Sequence, residues 1–116
     1  MSAGVHNFNC EQGSTFTRTV TVKDNAGTVR DLTGFTAKMQ VRRDIEDSTV
    51  IIELSTSNGG ISITSATGGI MQLSLSSTQT AALTLGGVYD LELVNSSGAI
   101  ERLLRGEFVL DKEVTR

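Results

Sequence analysis

Apolar and polar side chains alternate with a period of two along most of this chain. The clearest stretch is Phe35-Thr-Ala37-Lys-Met39-Gln-Val41-Arg42, introduced by the turn-like Asp31-Leu-Thr-Gly34. Successive side chains of an extended strand point to opposite faces, which sets Phe35, Ala37, Met39 and Val41 toward a core and Thr36, Lys38, Gln40 and Arg42 toward water. The same reading gives a first strand over residues 5–11, with Phe8 and Cys10 on one side. A second runs from Thr15 to Lys23 with Phe16, Val20 and Val22 inward, and Arg18 breaks its inward set, as expected near a sheet edge. The turn Asp24-Asn-Ala-Gly27 then predicts a short third strand over Thr28 to Leu32, because Asp opens a tight turn and Gly accepts the left-handed position that follows.

Beyond the long strand, Asp44 to Ser48 reads as a polar loop, and Val50, Ile52 and Leu54 mark the next strand. Ser57-Asn-Gly-Gly60 turns the chain into Ile61 and Ile63, and Thr67-Gly-Gly69 turns it into Ile70 to Leu75. The period breaks once, over residues 76–83, where Ser76 or Ser77 caps a helical turn that lays Ala82 and Leu83 over the end of the core. Gly86-Gly87 releases the chain into Val88 to Val94, with Tyr89, Leu91 and Leu93 inward. Asn95-Ser-Ser-Gly98 leads to a final strand from Ala99 to Leu110, in which Gly106 reads as a bulge. Short strands at roughly ten-residue spacing predict an antiparallel β-sandwich of about seven to nine strands, Ig-like in character, with one short helical turn near residues 76–83.

Composition narrows this picture. At 116 residues the chain has the size of one domain, so residues 1–116 are read as a single β-sandwich domain. Proline is absent, which leaves sheet edges to be protected by charge, short strands or a neighbouring chain. A formal charge of −3 with no basic stripe argues against a nucleic-acid partner, since such binding needs clustered Lys and Arg to displace counterions. Lys38, Arg42 and Arg43 read as a solvated strand edge. No signal-peptide pattern opens the sequence and no apolar run approaches the ~18 residues of a membrane span, so neither secretion nor a membrane partner is expected.

Candidate chemistry is sparse. His6 is the single imidazole, and along one strand it lies about 13 Å from Cys10 at ~3.3 Å per residue, too far for a dyad. Cys10, the single cysteine, reads as a small buried hydrophobe. Asp44, Glu46 and Asp47 lack the alternating ligands, central glycine and distal glutamate of a calcium loop. The glycine pairs do not open a helix with phosphate-binding spacing. The four phenylalanines and one tyrosine fall at inward phases or strand starts, which disfavours a carbohydrate-stacking platform. No catalytic residue, metal ligand or cofactor is expected.

Taken together, Glu11-Gln-Gly-Ser-Thr-Phe16, Asp31 to Arg42, Thr56-Ser-Asn-Gly-Gly-Ile61, Ser76 to Leu83, Tyr89-Asp-Leu-Glu-Leu93 and Arg102 to Arg116 resemble, in order and spacing, a family of short virion proteins of tailed bacteriophages. The family includes proteins of cyanophages and is similar in pattern to the N-terminal module of phage baseplate proteins. The resemblance implies a non-enzymatic structural subunit, assembled in the host cytoplasm into the tail or baseplate, where it joins fibres or other virion proteins. It implies a symmetric homo-oligomer as well. A capsid cement protein is the alternative within that class, and a glycan- or peptide-binding module the alternative outside it. For an assembly role the expected contacts are at the termini and loops: Val5, His6 and Phe8; Asp44, Glu46 and Asp47; Lys112, Glu113 and Arg116.

Overall fold

The computed structural model describes residues 4–24 and 26–114. Its strands, in chain order, are β1 (Gly4–Val5), β2 (Phe8–Glu11), β3 (Phe16–Thr21), β4 (Thr36–Arg42), β5 (Ile52–Ser55), β6 (Ile61–Ser65), β7 (Ile70–Leu75), β8 (Gly87–Val94) and β9 (Ile100–Asp111). Among the described residues one helix, α1 (Ser77–Ala81), separates β7 from β8. One sheet runs β1-β9-β8-β4-β5, with β2 also on β9, and the other runs β3-β7-β6. This order is that of a variable-type immunoglobulin sandwich, in which a G-F-C-C′ sheet faces a B-E-D sheet.

The alternation seen in the sequence is what fixes the layers. In β4 and β8 the cross-strand rows Ala37/Leu93, Met39/Leu91 and Val41/Tyr89 face inward and are buried, while Lys38/Glu92 and Gln40/Asp90 face outward. From the second sheet, Phe16, Ile61, Met71, Leu73 and Leu75 fill the facing side. The hallmarks of antibody sandwiches, an inter-sheet disulfide and a core tryptophan, are absent, because the chain has one cysteine and no tryptophan. Aromatic contacts join the layers at one end instead: the Phe16 ring of β3 lies 6.0 Å from Phe8 and 5.6 Å from Phe108, and Phe8 lies 5.1 Å from Tyr89.

Arg18 sits on an edge strand as expected, its guanidinium 4.6 Å from the Phe16 ring and donating to the Asn9 carbonyl at 2.7 Å. The helical turn is shorter than residues 76–83. Ser76 caps it, accepting from Gln79 N–H while the Gln79 side chain accepts from Ser76 N–H. Leu83 is buried over the core, but Ala82 is exposed. The side chain that plugs the sandwich end is Thr80, fully buried, whose hydroxyl accepts from Gly13 N–H and donates to the Ser14 carbonyl at 2.7 Å.

Four expectations are corrected. The sandwich is not wholly antiparallel, because β1 and β2 run parallel to β9. Residues 28–32 form no strand: a single bridge, Lys23 to Val29, is all that pairs there, and Leu32 is instead buried as an anchor beneath the Asp31–Gly34 turn. The first strand is interrupted at His6-Asn7. Gly106 is not a bulge; the register shift lies nearby, where Leu91 pairs with Leu104 but Glu92 pairs with Arg102, leaving Leu103 as the extra residue. What Gly106 supplies is room, since a Cβ there would strike the His6 carbonyl.

Leu91 is completely buried between Met39 and Leu104 at the centre of the larger sheet. Leu91→Ala is expected to lower unfolding free energy by about 2–5 kcal/mol through lost burial and an unfilled cavity. Urea titration checks this as a reduced midpoint with unchanged slope, and a loss below about 0.5 kcal/mol would contradict the packing described.

Candidate assembly surfaces

The N-terminal segment is held to β9 by parallel pairing, Gly4 opposite Leu104 and Phe8 opposite Phe108. Between β1 and β2, His6 N–H donates to the Arg105 carbonyl at 2.9 Å, and the Tyr89 hydroxyl donates to the His6 carbonyl. Asn7 Oδ1 accepts from Glu107 N–H at 2.9 Å. The segment is therefore stitched to the sandwich on both sides of its break. Of the three contacts expected here, Val5 is 71% exposed and His6 is exposed, with its ring edge-on to Phe8 at 4.8 Å. Phe8 is withdrawn as an assembly contact: it is 3% exposed and belongs to the aromatic cluster of the core.

In the loop after β4, the acids shape the chain. Asp47 N–H donates to the Asp44 carbonyl, Asp47 Oδ1 accepts from Thr49 N–H at 3.0 Å, and the Asp47 carbonyl accepts from the Arg42 guanidinium at 2.8 Å. Asp44 and Glu46 are exposed. The residue that the loop displays is Ile45, 83% exposed, which the sequence reading passed over. Its signal was one apolar residue inside a polar run.

At the other terminus Lys112 is exposed, but Glu113 belongs to the chain's own packing. Its N–H donates to Gln12 Oε1 at 3.0 Å and its carboxylate covers Gly13, leaving no room for a Cβ. Glu113 is thus a tie between the C-terminus and the loop before β3. Arg116 lies outside the described residues.

A feature beyond these residue lists is the outer face of the larger sheet. Val5 and Ile45, far apart in sequence, border one groove of about 640 Å³ on it, floored by Arg42, Val88, Asp90 and Arg105. Over the middle of this face charges change sign from strand to strand. Glu53 stands on β5, Lys38 and Arg42 on β4, Asp90 and Glu92 on β8, and Arg102 and Arg105 on β9, with the acidic Glu107 following on β9 level with Val88 and Arg42. The extra Leu103 keeps Arg102 and Arg105 on the same face although they are three residues apart. Within the face, Arg102 lies 3.5 Å from Asp90, and Gln40 donates to Glu53 at 2.7 Å. The smaller sheet is the opposite in character: no charged residue occurs from Leu54 to Tyr89, and Ser62, Thr64, Gln72 and Ser74 form its outer rows.

Among the described residues no group of three or more His, Cys, Asp or Glu converges as metal ligands, and no buried side-chain polar atom lacks a hydrogen-bond partner. Burial pushes the Cys10 thiol above its usual range, although Arg18 pulls it partly back. Burial pushes the Tyr89 phenol up to about 12. The Thr33 hydroxyl and N–H, both donated to Asp31, hold that carboxylate below its usual range at the exposed turn.

No family model and no curated protein matches this chain. Among solved structures, a chain of Tim-1 is similar over 100% of this chain and 99% of that one, at 8% identity and a TM-score of 0.47. That degree of likeness carries no functional argument.

The raised Tyr89 pKa gives a signed expectation. A phenol whose folded pKa exceeds its unfolded value of about 10 contributes stability that is fully present below pH ~10 and is lost as pH rises toward the folded value. The melting temperature should fall between about pH 10 and 12, and Tyr89→Phe should flatten that part of the profile. An unchanged alkaline profile in the variant would contradict a buried phenol.

Proposed function

We propose that this chain is a non-enzymatic structural subunit of a tailed-bacteriophage virion, seated in the tail or baseplate, where it adapts fibres or other virion proteins to the particle as part of a symmetric homo-oligomer. The observation that carries this reading is how the sandwich leaves its pairing surfaces. β5 and β6 are open sheet edges. β6 and the strand beside it, β7, carry neither charge nor proline, the usual guards against pairing with another chain. An extended segment of a neighbour can add to such an edge through main-chain hydrogen bonds. The resemblance of the spaced motifs to short phage virion proteins supports the same reading.

A histidine engaged with a phenylalanine ring, a buried thiol and carboxylates spent on turns are poor material for acid–base or nucleophilic catalysis. The aromatic rings lie in or against the core, so sugar stacking has no platform. The first of these disfavours catalysis, and the second favours an assembly role over the alternative of a glycan-binding module.

Mass spectrometry of purified virions of the encoding phage, separated into head and tail fractions, tests the proposal. The chain is expected to enrich with tails. Enrichment with heads would overturn the tail placement in favour of a capsid cement role, and absence from both fractions would overturn the virion reading.

A further inference from the structure

The sign-alternating face of the larger sheet is complementary to itself. Across the levels of Arg102 and Arg105, the strands ordered β9, β8, β4, β5 read positive, negative, positive, negative; Glu107, one level further along β9, falls opposite the uncharged Ile51 under the rotation described next. Reversing an alternating row of four exchanges every sign. A two-fold axis parallel to the strands and midway between β8 and β4 makes that reversal, laying β8 of one copy over β4 of the other and β9 over β5.

The rotation keeps each residue at its own level along the strands, and the register sets the levels. Glu53, Gln40, Asp90 and Arg105 share one, and Lys38, Glu92 and Arg102 the next. Arg105 of each copy then meets Glu53 of its partner, Lys38 meets Glu92, and Gln40 meets Asp90. The other face-to-face two-fold, with its axis across the strands, sets β4 on β4 and β8 on β8, which is repulsive. Only one of the two arrangements is electrostatically allowed. The exposed apolar Val5 and Ile45 at the borders of the same groove are side chains that gain from being covered.

We propose that the outer face of the larger sheet binds a second copy of this chain face to face about this axis. At ~4.8 Å between strands and ~3.3 Å per residue, four strands of about eight residues project roughly 500 Å². Long charged side chains raise the accessible area toward the ~800 Å² per partner of a stable interface. The opposite charges within one sheet, such as Asp90 and Arg102, already attract one another, so the dimer is salt-sensitive and of modest affinity. This inference deepens the homo-oligomer part of the function proposed above and rests on that part alone. It is tested on the purified chain, so its failure leaves the placement in the virion untouched.

The test is sedimentation velocity of the wild-type chain with two charge-reversed variants: Asp90→Lys with Glu92→Lys on β8, and Lys38→Glu with Arg42→Glu on β4. At about 100 µM and low salt the wild type is expected to dimerise, with the dissociation constant rising about tenfold or more toward 0.5 M salt. Each variant alone is expected to be a monomer, and an equal mixture of the two to recover a heterodimer, since each supplies the sign the other lost. A monomeric wild type overturns the proposal, as do variants that dimerise as well as the wild type or a mixture that fails to recover. Should either variant lose its circular dichroism spectrum, carbodiimide crosslinking of mixed light and isotope-labelled wild-type chains decides instead. A mixed-isotope Lys38–Glu92 peptide supports the interface and its absence overturns it.

Discussion

The pairing of β8 with β4 on one side and β9 on the other is the constraint on which the rest of this structure depends. Because side chains on a strand alternate with a period of two, one register decides both faces at once. The register that buries Met39, Leu91 and Leu104 in one row must place Gln40, Asp90 and Arg105 outside in the next. A slip of one residue would expose the core row and bury the charged one, at a cost of many kcal/mol. The core and the charged outer face are therefore two consequences of a single set of backbone hydrogen bonds. Within this sheet a register shift at Leu103 adjusts the pattern and brings Arg102 and Arg105 onto the same side.

The sandwich closes without covalent help. Aromatic rings from both sheets meet at one end, and at that end the chain is tied by polar contacts of long sequence range: Thr80 to Gly13 and Ser14, Gln12 to Leu83, Glu113 to Gln12. At the opposite phase of β9, Glu101 lies on the inward side but finds Arg30 at 2.7 Å, which makes an otherwise costly position tenable. Turn chemistry does the rest. Asp24, Asp31 and Asn95 each accept backbone N–H bonds with their side-chain oxygen and are each followed three residues later by a glycine with positive φ, at Gly27, Gly34 and Gly98.

These local rules explain what was legible in the sequence. The strands at β4, β7 and β8 carry unbroken alternation and lie near their expected bounds, and the Ser76 cap announces α1. Parallel pairing of β1 and β2 with β9 was not legible, since it joins the two ends of the chain and depends on Gly106 admitting the His6 carbonyl. The segment 28–32 looked like a strand because Val29 and Leu32 are apolar, but Leu32 serves as a single buried peg and its N–H donates to Ala66. Among the candidate contacts, Val5 and His6 are at the surface, Phe8 is core, and the acids of the 44–48 loop spend much of their polarity on the turn while Ile45 takes the exposed place. The charge stripes were visible residue by residue in the sequence. Their order across the sheet was not, because β9, β8, β4 and β5 are neighbours only through long-range topology.

The proposed assembly role rests on surfaces: open edges on one side of the sandwich and a charge-patterned face on the other. Lysine acylation followed by peptide mapping, on chains within intact particles and on the dilute isolated chain, addresses that claim most directly. The account predicts strong protection of Lys38, which stands exposed on the outer face of β4, and unchanged labelling of Lys23, at the far hairpin. Equal labelling of Lys38 in both states would contradict the assignment of the face to assembly.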